Sequence, residues 1–161
     1  MKPECSRPIM LDRIGPGGLD ITVDATPAEC GALALRMGLP AVHAMSCTFH
    51  LERESRDIVS ARGHLRARVT QTCVVTLEDF EASIEEHFQV RFVPEGRESE
   101  ELNLDADDEI PFAGNQVDIG EAASEQLGLA LDPYPRLPGA ELPEPEEEPE
   151  ENPFAALRRL N

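Results

Sequence analysis

Apolar and polar residues alternate along three long stretches of this chain. The first contains Cys47, Phe49 and Leu51, and a polar cluster at 53–57 follows it. In the second, the apolar residues occupy odd positions: Val59, Ala61, Leu65, Ala67, Val69, Cys73, Val75 and Leu77. The third, after 78–81, has the apolar residues Ile84, Phe88, Val90 and Phe92. A period of two is typical of strands with one buried face. The pattern therefore predicts three long strands, the second running as far as Leu77.

A further strand and two helices are predicted around these strands. Residues 19–24 alternate in the same way, and Thr26-Pro27-Ala28-Glu29 has the sequence of a capping box with proline at the first helical position. Gly38 ends that helix. A second helix is predicted from Asp118 to Leu131, because an acidic start precedes an apolar stripe and prolines follow it.

These elements predict an α+β fold, in which an antiparallel β-meander packs with one or two helices. We expect this domain to span residues 1–131, with an acidic loop at about 95–116. Residues 132–151 contain six prolines and seven glutamates, which predicts a disordered acidic linker. Residues 152–161 form a short apolar element at the end of that linker.

The net charge of −18 is distributed unevenly. Residues 1–93 hold 10 Lys and Arg against 13 Asp and Glu, whereas residues 94–161 hold 4 against 19. Nucleic-acid affinity comes largely from neutralising phosphates, so this balance argues against generic affinity for DNA, RNA or anionic membrane. It favours partners with basic surfaces, or it keeps the chain soluble.

The chain shows neither a targeting signal nor a metal-binding motif. Met1 is not followed by an apolar run of signal-peptide length, and no stretch approaches the roughly 20 apolar residues of a membrane span. We therefore expect a cytoplasmic protein. The cysteines lack metal-ligand or redox spacing, which predicts buried thiols with no metal and no cofactor; they are Cys5, Cys30, Cys47 and Cys73.

Three segments of the chain are informative when they are taken together. The first comprises 63–65 and Gln71-Thr72-Cys73-Val74-Val75-Thr76-Leu77-Glu78. The second comprises Val117-Asp118-Ile119-Gly120-Glu121, 125–127 and Leu131-Asp132-Pro133-Tyr134-Pro135. The third is Asn152-Pro153-Phe154-Ala155-Ala156-Leu157. In this order and spacing they resemble the DUF177 (YceD) family, the large-subunit rRNA accumulation proteins, and the resemblance covers about residues 10–161.

The resemblance implies a non-enzymatic role in the accumulation or processing of large-subunit (23S) rRNA. The implied partners are the precursor large subunit, its rRNA or a basic ribosomal protein. Many members carry a C-x-x-C motif where this chain has Cys73-Val74-Val75-Thr76. Any metal held by paired thiolates in those members would lack its second ligand here.

A cationic row on the second strand is the candidate contact site. Arg62, His64, Arg66 and Arg68 all occupy even positions, so they share the solvent face at spacings of about 6.5–7 Å. Such a row can contact a phosphate backbone or an acidic partner. It can equally be a solvated strand face, partly neutralised by Glu85 and Glu78. No aromatic residue interrupts it, so a base-stacking platform is not expected.

The C-terminal element is the second candidate site. Asn152 and Pro153 are suited to a helix start, and Phe154, Leu157 and Leu160 would share one face. An element this short is unstable alone, so it must dock, either on its own domain or on another molecule.

Two other functions compete with the assembly-factor interpretation. An rRNA-processing hydrolase would need a metal-carboxylate or histidine-based constellation, and the sequence shows no such motif. An anionic chaperone for one basic ribosomal protein would use the acidic C-terminal half without contacting RNA.

Overall fold

The alternating stretches form the strands of one sheet, and the capped segments form helices against it. The computed structural model describes residues 3–97 and 106–144. The elements are β1 (Pro8–Met10), a 3-10 turn (Leu11–Arg13), β2 (Leu19–Asp24), α1 (Pro27–Met37), β3 (Ala41–Arg53), β4 (Val59–Thr72), β5 (Asp79–Pro94), β6 (Asp108–Phe112), β7 (Gln116–Asp118) and α2 (Ile119–Ala130). No helix in these two ranges is long and apolar enough to cross a membrane.

The main sheet has the order β2-β3-β4-β5-β6. Its first four strands pair antiparallel in chain order, which confirms the α+β class and the antiparallel meander. In the β4–β5 hairpin, each residue from Val59 to Thr72 pairs with one between Phe92 and Asp79. β1 and β7 form a separate two-stranded sheet in which Ile9 pairs with Val117.

The segment 95–116, predicted as a loop, contains the edge strand β6. This strand runs parallel to β5, with Phe92 opposite Ile110 and Pro94 opposite Phe112. Flanking acidic residues and Pro111 obscure its alternation in the sequence. Proline is tolerated here because an edge strand leaves one side unpaired. The loop prediction was wrong for these five residues.

The core lies between one face of the sheet and the two helices. Phe49 and Leu65 on the strands are fully buried together with Leu33 on α1 and Leu127 on α2. Gly63 is part of the continuous strand β4, and its missing side chain makes room for the ring of Phe88. A Cβ atom at Gly63 would lie 2.1 Å from that ring, so the glycine serves packing rather than a bend.

The predicted continuation of β4 to Leu77 was wrong, because residues 73–78 form the turn to β5. The Cys73 N–H donates to the Glu78 carbonyl at 2.8 Å, and the Leu77 N–H donates to the Cys73 carbonyl at 2.9 Å. Leu77 has a φ of 59° and is 77% exposed. Leu77 has an odd number like the buried residues of β4, but it lies in the turn, so the agreement with the strand pattern is a coincidence.

The chain after α2 lies against the same turn. The Val74 N–H donates to the Pro135 carbonyl at 2.9 Å, and the Gln71 side chain donates to the Asp132 carbonyl at 3.3 Å. We call residues 132–137 the strap. The disordered linker was predicted to begin at residue 132, and in the structure the turn supplies polar partners to the strap. Residues 145–151 and the predicted element of 152–161, with Asn152, Pro153, Phe154, Leu157 and Leu160, lie outside the described ranges.

The predicted capping box of α1 is confirmed and is tied to the N-terminal segment. The Glu29 N–H donates to the Thr26 hydroxyl at 3.2 Å, and the Thr26 N–H donates to the Glu29 carboxylate at 2.8 Å. Arg7 binds the same carboxylate in a bidentate pair at 2.7 and 2.9 Å. The Arg7 guanidinium, helped by the Thr26 N–H, lowers the pKa of Glu29 to about 2.

We predict that Glu29→Gln destabilises the protein at neutral pH by about 1 kcal/mol, the usual value of a helix cap. The folded-state pKa is depressed from 4.5 to about 2, so this stabilisation is fully present above pH 4.5. It is lost as the pH falls toward 2. Urea unfolding of the wild-type protein and of Glu29→Gln should show a smaller difference in the free energy of unfolding at pH 3 than at pH 7. Glu144→Gln, a change at an exposed residue, is the control. If Glu29→Gln lowers the free energy of unfolding by the same amount at both pH values, the ionised Glu29 carboxylate is not the source of the stabilisation.

Candidate functional site

The cationic row lies where the sequence placed it. Arg62, Arg66 and Arg68 are exposed and His64 is half-buried, all on the outward face of β4. The odd-numbered residues between them are buried in the core. β4 is the middle strand of five, so the row runs along the centre of the open face.

The arginines of the row are only loosely paired. Arg62 lies 3.7 Å from Glu52, and Arg66 lies 3.7 Å from Glu85. In the described part of the chain, no carboxylate forms an ion pair with Arg68, and Glu78, in the turn, pairs with no member of the row. Neutralisation by Glu85 is thus observed, and neutralisation by Glu78 is not. Exposed pairs of this kind contribute little free energy, so a stronger anion can displace them.

Small side chains surround Arg66 and Arg68 and leave a shallow depression of about 460 Å³ between them. Across the strands, Ser46 and Glu85 flank Arg66, and Ala44 and Ser83 flank Arg68. Ala44, Ser46 and Ser83 are small, so the largest neighbour beside the two guanidinium groups is Glu85, 3.7 Å from Arg66. The serine hydroxyls add hydrogen-bond donors of the kind that contact phosphate.

The structure adds His87, which the sequence interpretation did not include, and a direct contact between Glu85 and His64. His87 on β5 stacks against His64, with ring centroids 4.1 Å apart and planes 11° apart. Glu85 accepts a hydrogen bond from His64 Nε2 at 2.7 Å. The His64 ring and the Arg66 guanidinium lower the pKa of Glu85. Placing the turn at 73–78 would have revealed both partners, because the register then follows directly.

The remaining two histidines also lie on the open face. His50 contacts Asp20 through Nδ1 at 2.5 Å and Glu52 through Nε2 at 2.8 Å, and these carboxylates raise its pKa. His43 contacts the Thr70 hydroxyl at 2.7 Å. The outward residues of β3, β4 and β5 include neither Phe nor Tyr, so this part of the face offers hydrogen bonds and charge rather than base stacking.

Cys73 is fully buried, as are the other three cysteines. Its sulfur accepts hydrogen bonds from the Thr76 N–H at 3.4 Å and the Leu137 N–H at 3.3 Å. Burial alone would raise the pKa of Cys73, but the hydrogen bonds outweigh it and lower the pKa to about 7. Burial raises the pKa of Cys5 to about 11 and that of Cys47 to about 12.

Fold and site together define a small α+β domain with a cationic row on the open face of an antiparallel sheet. The model of the family described as "Large ribosomal RNA subunit accumulation protein YceD" matches residues 61–161. The chain belongs to this family, which confirms the resemblance found in the sequence. No curated protein and no solved structure gives a significant match to the chain.

We predict that the strap protects Cys73 from thiol reagents. A variant ending at Asp132 lacks Pro135 and Leu137, and its Cys73 should react with a disulfide reagent at least tenfold faster than in the full chain. A variant ending at Glu144 keeps the strap and is the matched control. The reaction should involve one thiol and disappear in Cys73→Ser. Equal rates in the two truncated variants would show that the strap does not cover the turn.

Proposed function

We propose that this protein is a non-enzymatic, cytoplasmic assembly factor that supports the accumulation or processing of large-subunit (23S) rRNA. Its partners would be the precursor large subunit, through rRNA, a basic ribosomal protein or both. Membership of the YceD family supports the proposed role in large-subunit rRNA accumulation, because the family's description names it. The proposed mode of action is binding, and it rests on the open face of the sheet.

The observation that carries the proposal is the depression at Arg66 and Arg68. Two guanidinium groups on one strand face, loosely paired and flanked by Ser46 and Ser83, match the donors that a phosphate backbone requires. The site would read the backbone and not the base sequence, since the outward residues of β3 to β5 include no Phe, Tyr or Trp, and the His64 and His87 rings stack on each other. Selectivity would then come from the shape of a folded rRNA segment.

The burial of the thiols supports binding rather than nucleophilic catalysis. Cys47 is buried in the core and Cys73 is buried in the turn beneath the strap, whereas His50 and His64 point to the open face. A thiol nucleophile needs a base within hydrogen-bond reach. The Cys73 sulfur accepts from backbone N–H groups, and the sheet separates Cys47 from the histidine rings.

A chaperone for a basic ribosomal protein is a second candidate, favoured by a cleft of about 370 Å³ between β6 and α2. Phe92 and Ile110 contribute apolar surface to this cleft, and Glu121 and Glu125 contribute carboxylates. Burial, with the neighbouring Glu121, raises the pKa of Glu125. A lysine or arginine side chain could place its aliphatic stem on the apolar surface and its charge beside Glu125.

We predict that Arg66→Glu with Arg68→Glu weakens binding to precursor large-subunit rRNA at least tenfold, because two phosphate contacts become repulsive. The loss should shrink as salt rises. Both residues are exposed, so the stability cost should stay below about 0.5 kcal/mol. Filter binding across a salt series measures the effect.

The matched control for this prediction is Arg13→Glu with Arg56→Glu. It makes the same change in net charge at exposed residues off the row. An equal loss of rRNA affinity in both double variants would show a general charge effect. If Arg66→Glu with Arg68→Glu binds rRNA as tightly as the wild type, the row is only a solvated face.

We also predict that cutting the chain after Glu151 reduces binding to precursor particles but shifts the melting temperature by no more than a degree or two. The 14 residues of 138–151, if extended like polyproline, would span about 43 Å. A spacer of that length suits an element that docks on another molecule. Phe154→Ala should reproduce most of the loss, since aromatic anchors dominate small interfaces.

Asn161→Ala, at the chain end and off the predicted apolar face, is the control for Phe154→Ala. Sedimentation with precursor particles measures binding, and calorimetry measures stability. A large drop in melting temperature on truncation would place the element in the domain's own core.

A further inference from the structure

His64, Glu85 and His87 form a compact group of potential metal ligands on the β4–β5 hairpin. The register places the two histidines directly opposite each other, and Glu85 lies two residues before His87 on the same strand face. One ligand atom from each residue lies within 4.8 Å of the other two. His64 is half-buried, and the other two residues are exposed, so an ion can reach the group from solvent.

The spacing of these atoms fits a small divalent ion. Ligand atoms around tetrahedral zinc lie about 3.3 Å apart, because metal–ligand distances are about 2.0–2.2 Å. His64 Nε2 and the Glu85 carboxylate are now 2.7 Å apart, and all three separations are at most 4.8 Å. Closing the remaining distances requires rotation of the side chains, including a tilt of the His64 and His87 rings out of their parallel arrangement.

We propose that His64, Glu85 and His87 bind a divalent transition metal ion such as Zn²⁺. Two imidazole nitrogens and one carboxylate oxygen favour Zn²⁺, Ni²⁺ or Cu²⁺ over Mg²⁺ and Ca²⁺, which prefer oxygen ligands. Water would complete the coordination. His64 stands on β4, which pairs with β3 and β5 at this position, whereas Glu85 and His87 stand on a part of β5 that pairs with β4 alone, since its pairing with β6 begins at Val90. Strands hold a ligand set better than loops do.

Competition from neighbouring groups is weak. Arg66 approaches Glu85 only to 3.7 Å, and an exposed pair at that distance contributes little free energy. The His64–Glu85 hydrogen bond would be replaced by two metal–ligand bonds. Binding therefore breaks one hydrogen bond, one loose ion pair and the parallel stacking of the His64 and His87 rings, because each nitrogen lone pair lies in the plane of its own ring.

His50 provides a matched control on the same face. Its two ring nitrogens contact different carboxylates, Asp20 and Glu52. Because the two nitrogens point in opposite directions, those carboxylates cannot converge on one ion beside the ring. His50→Ala thus removes a carboxylate-paired histidine without touching the proposed ligands.

The test is calorimetric titration of the full chain with Zn²⁺ in excess Mg²⁺, which occupies the acidic segments. We expect one zinc per chain, at least tenfold weaker binding in His87→Ala and in His64→Ala, and unchanged binding in His50→Ala. In nuclear magnetic resonance spectra, Zn²⁺ should shift the imidazole signals of His64 and His87 and leave those of His43 and His50 in place. Far-ultraviolet circular dichroism confirms that each variant folds.

Three outcomes would overturn the proposal. The first is the absence of one-to-one binding by the wild-type chain. The second is binding that survives His87→Ala but is lost in Cys73→Ser, which would place the ion at the thiol. The third is binding that survives both substitutions, which would place it on carboxylates elsewhere. These outcomes test the metal site, whereas the Arg66 and Arg68 variants measure rRNA binding separately.

Discussion

The register of the β4–β5 hairpin is the constraint on which the rest of the structure depends. It is set by the turn at residues 73–78, where two backbone hydrogen bonds close the chain between Thr72 and Asp79. A shift of one residue would turn the alternating side chains of one strand to the opposite face. The core would then lose Leu65 and its neighbours, and the cationic row would face α2. The same register is therefore needed both to bury the apolar face of β4 and to expose its arginines.

The parts of the fold that the sequence predicted are those encoded by local chemistry. The capping box at Thr26 and the alternation in β3, β4 and β5 each depend on neighbouring residues, and each appears in the structure. The strap and β6 depend instead on distant partners. Pro135 looks like part of a disordered tail until the Val74 N–H is known to bind its carbonyl. Composition cannot reveal a hydrogen bond to a turn some sixty residues earlier along the chain.

The candidate site also has a part that neighbouring residues predict and a part that depends on distant partners. Alternation along one strand was enough to place Arg62, His64, Arg66 and Arg68 on a single face, because all four have even residue numbers. Alternation cannot show which residues of the next strand lie beside them, because that depends on the length of the turn. A turn longer by two residues would move Glu85 and His87 away from His64. The sequence thus defined the row and named Glu85 as a neighbour, but it did not place His87 beside His64.

Glu85 sets how basic the centre of the open face is, because it contacts both His64 and Arg66. The chain as a whole carries a charge of −18, yet charges beyond the Debye length of about 8–10 Å are screened at physiological salt. What a phosphate group meets at the depression is therefore mainly Arg66, Arg68 and Glu85. A metal ion that took Glu85 as a ligand would release Arg66 and add positive charge beside it. Phosphate affinity and metal affinity would then reinforce each other, since both gain when Glu85 leaves Arg66.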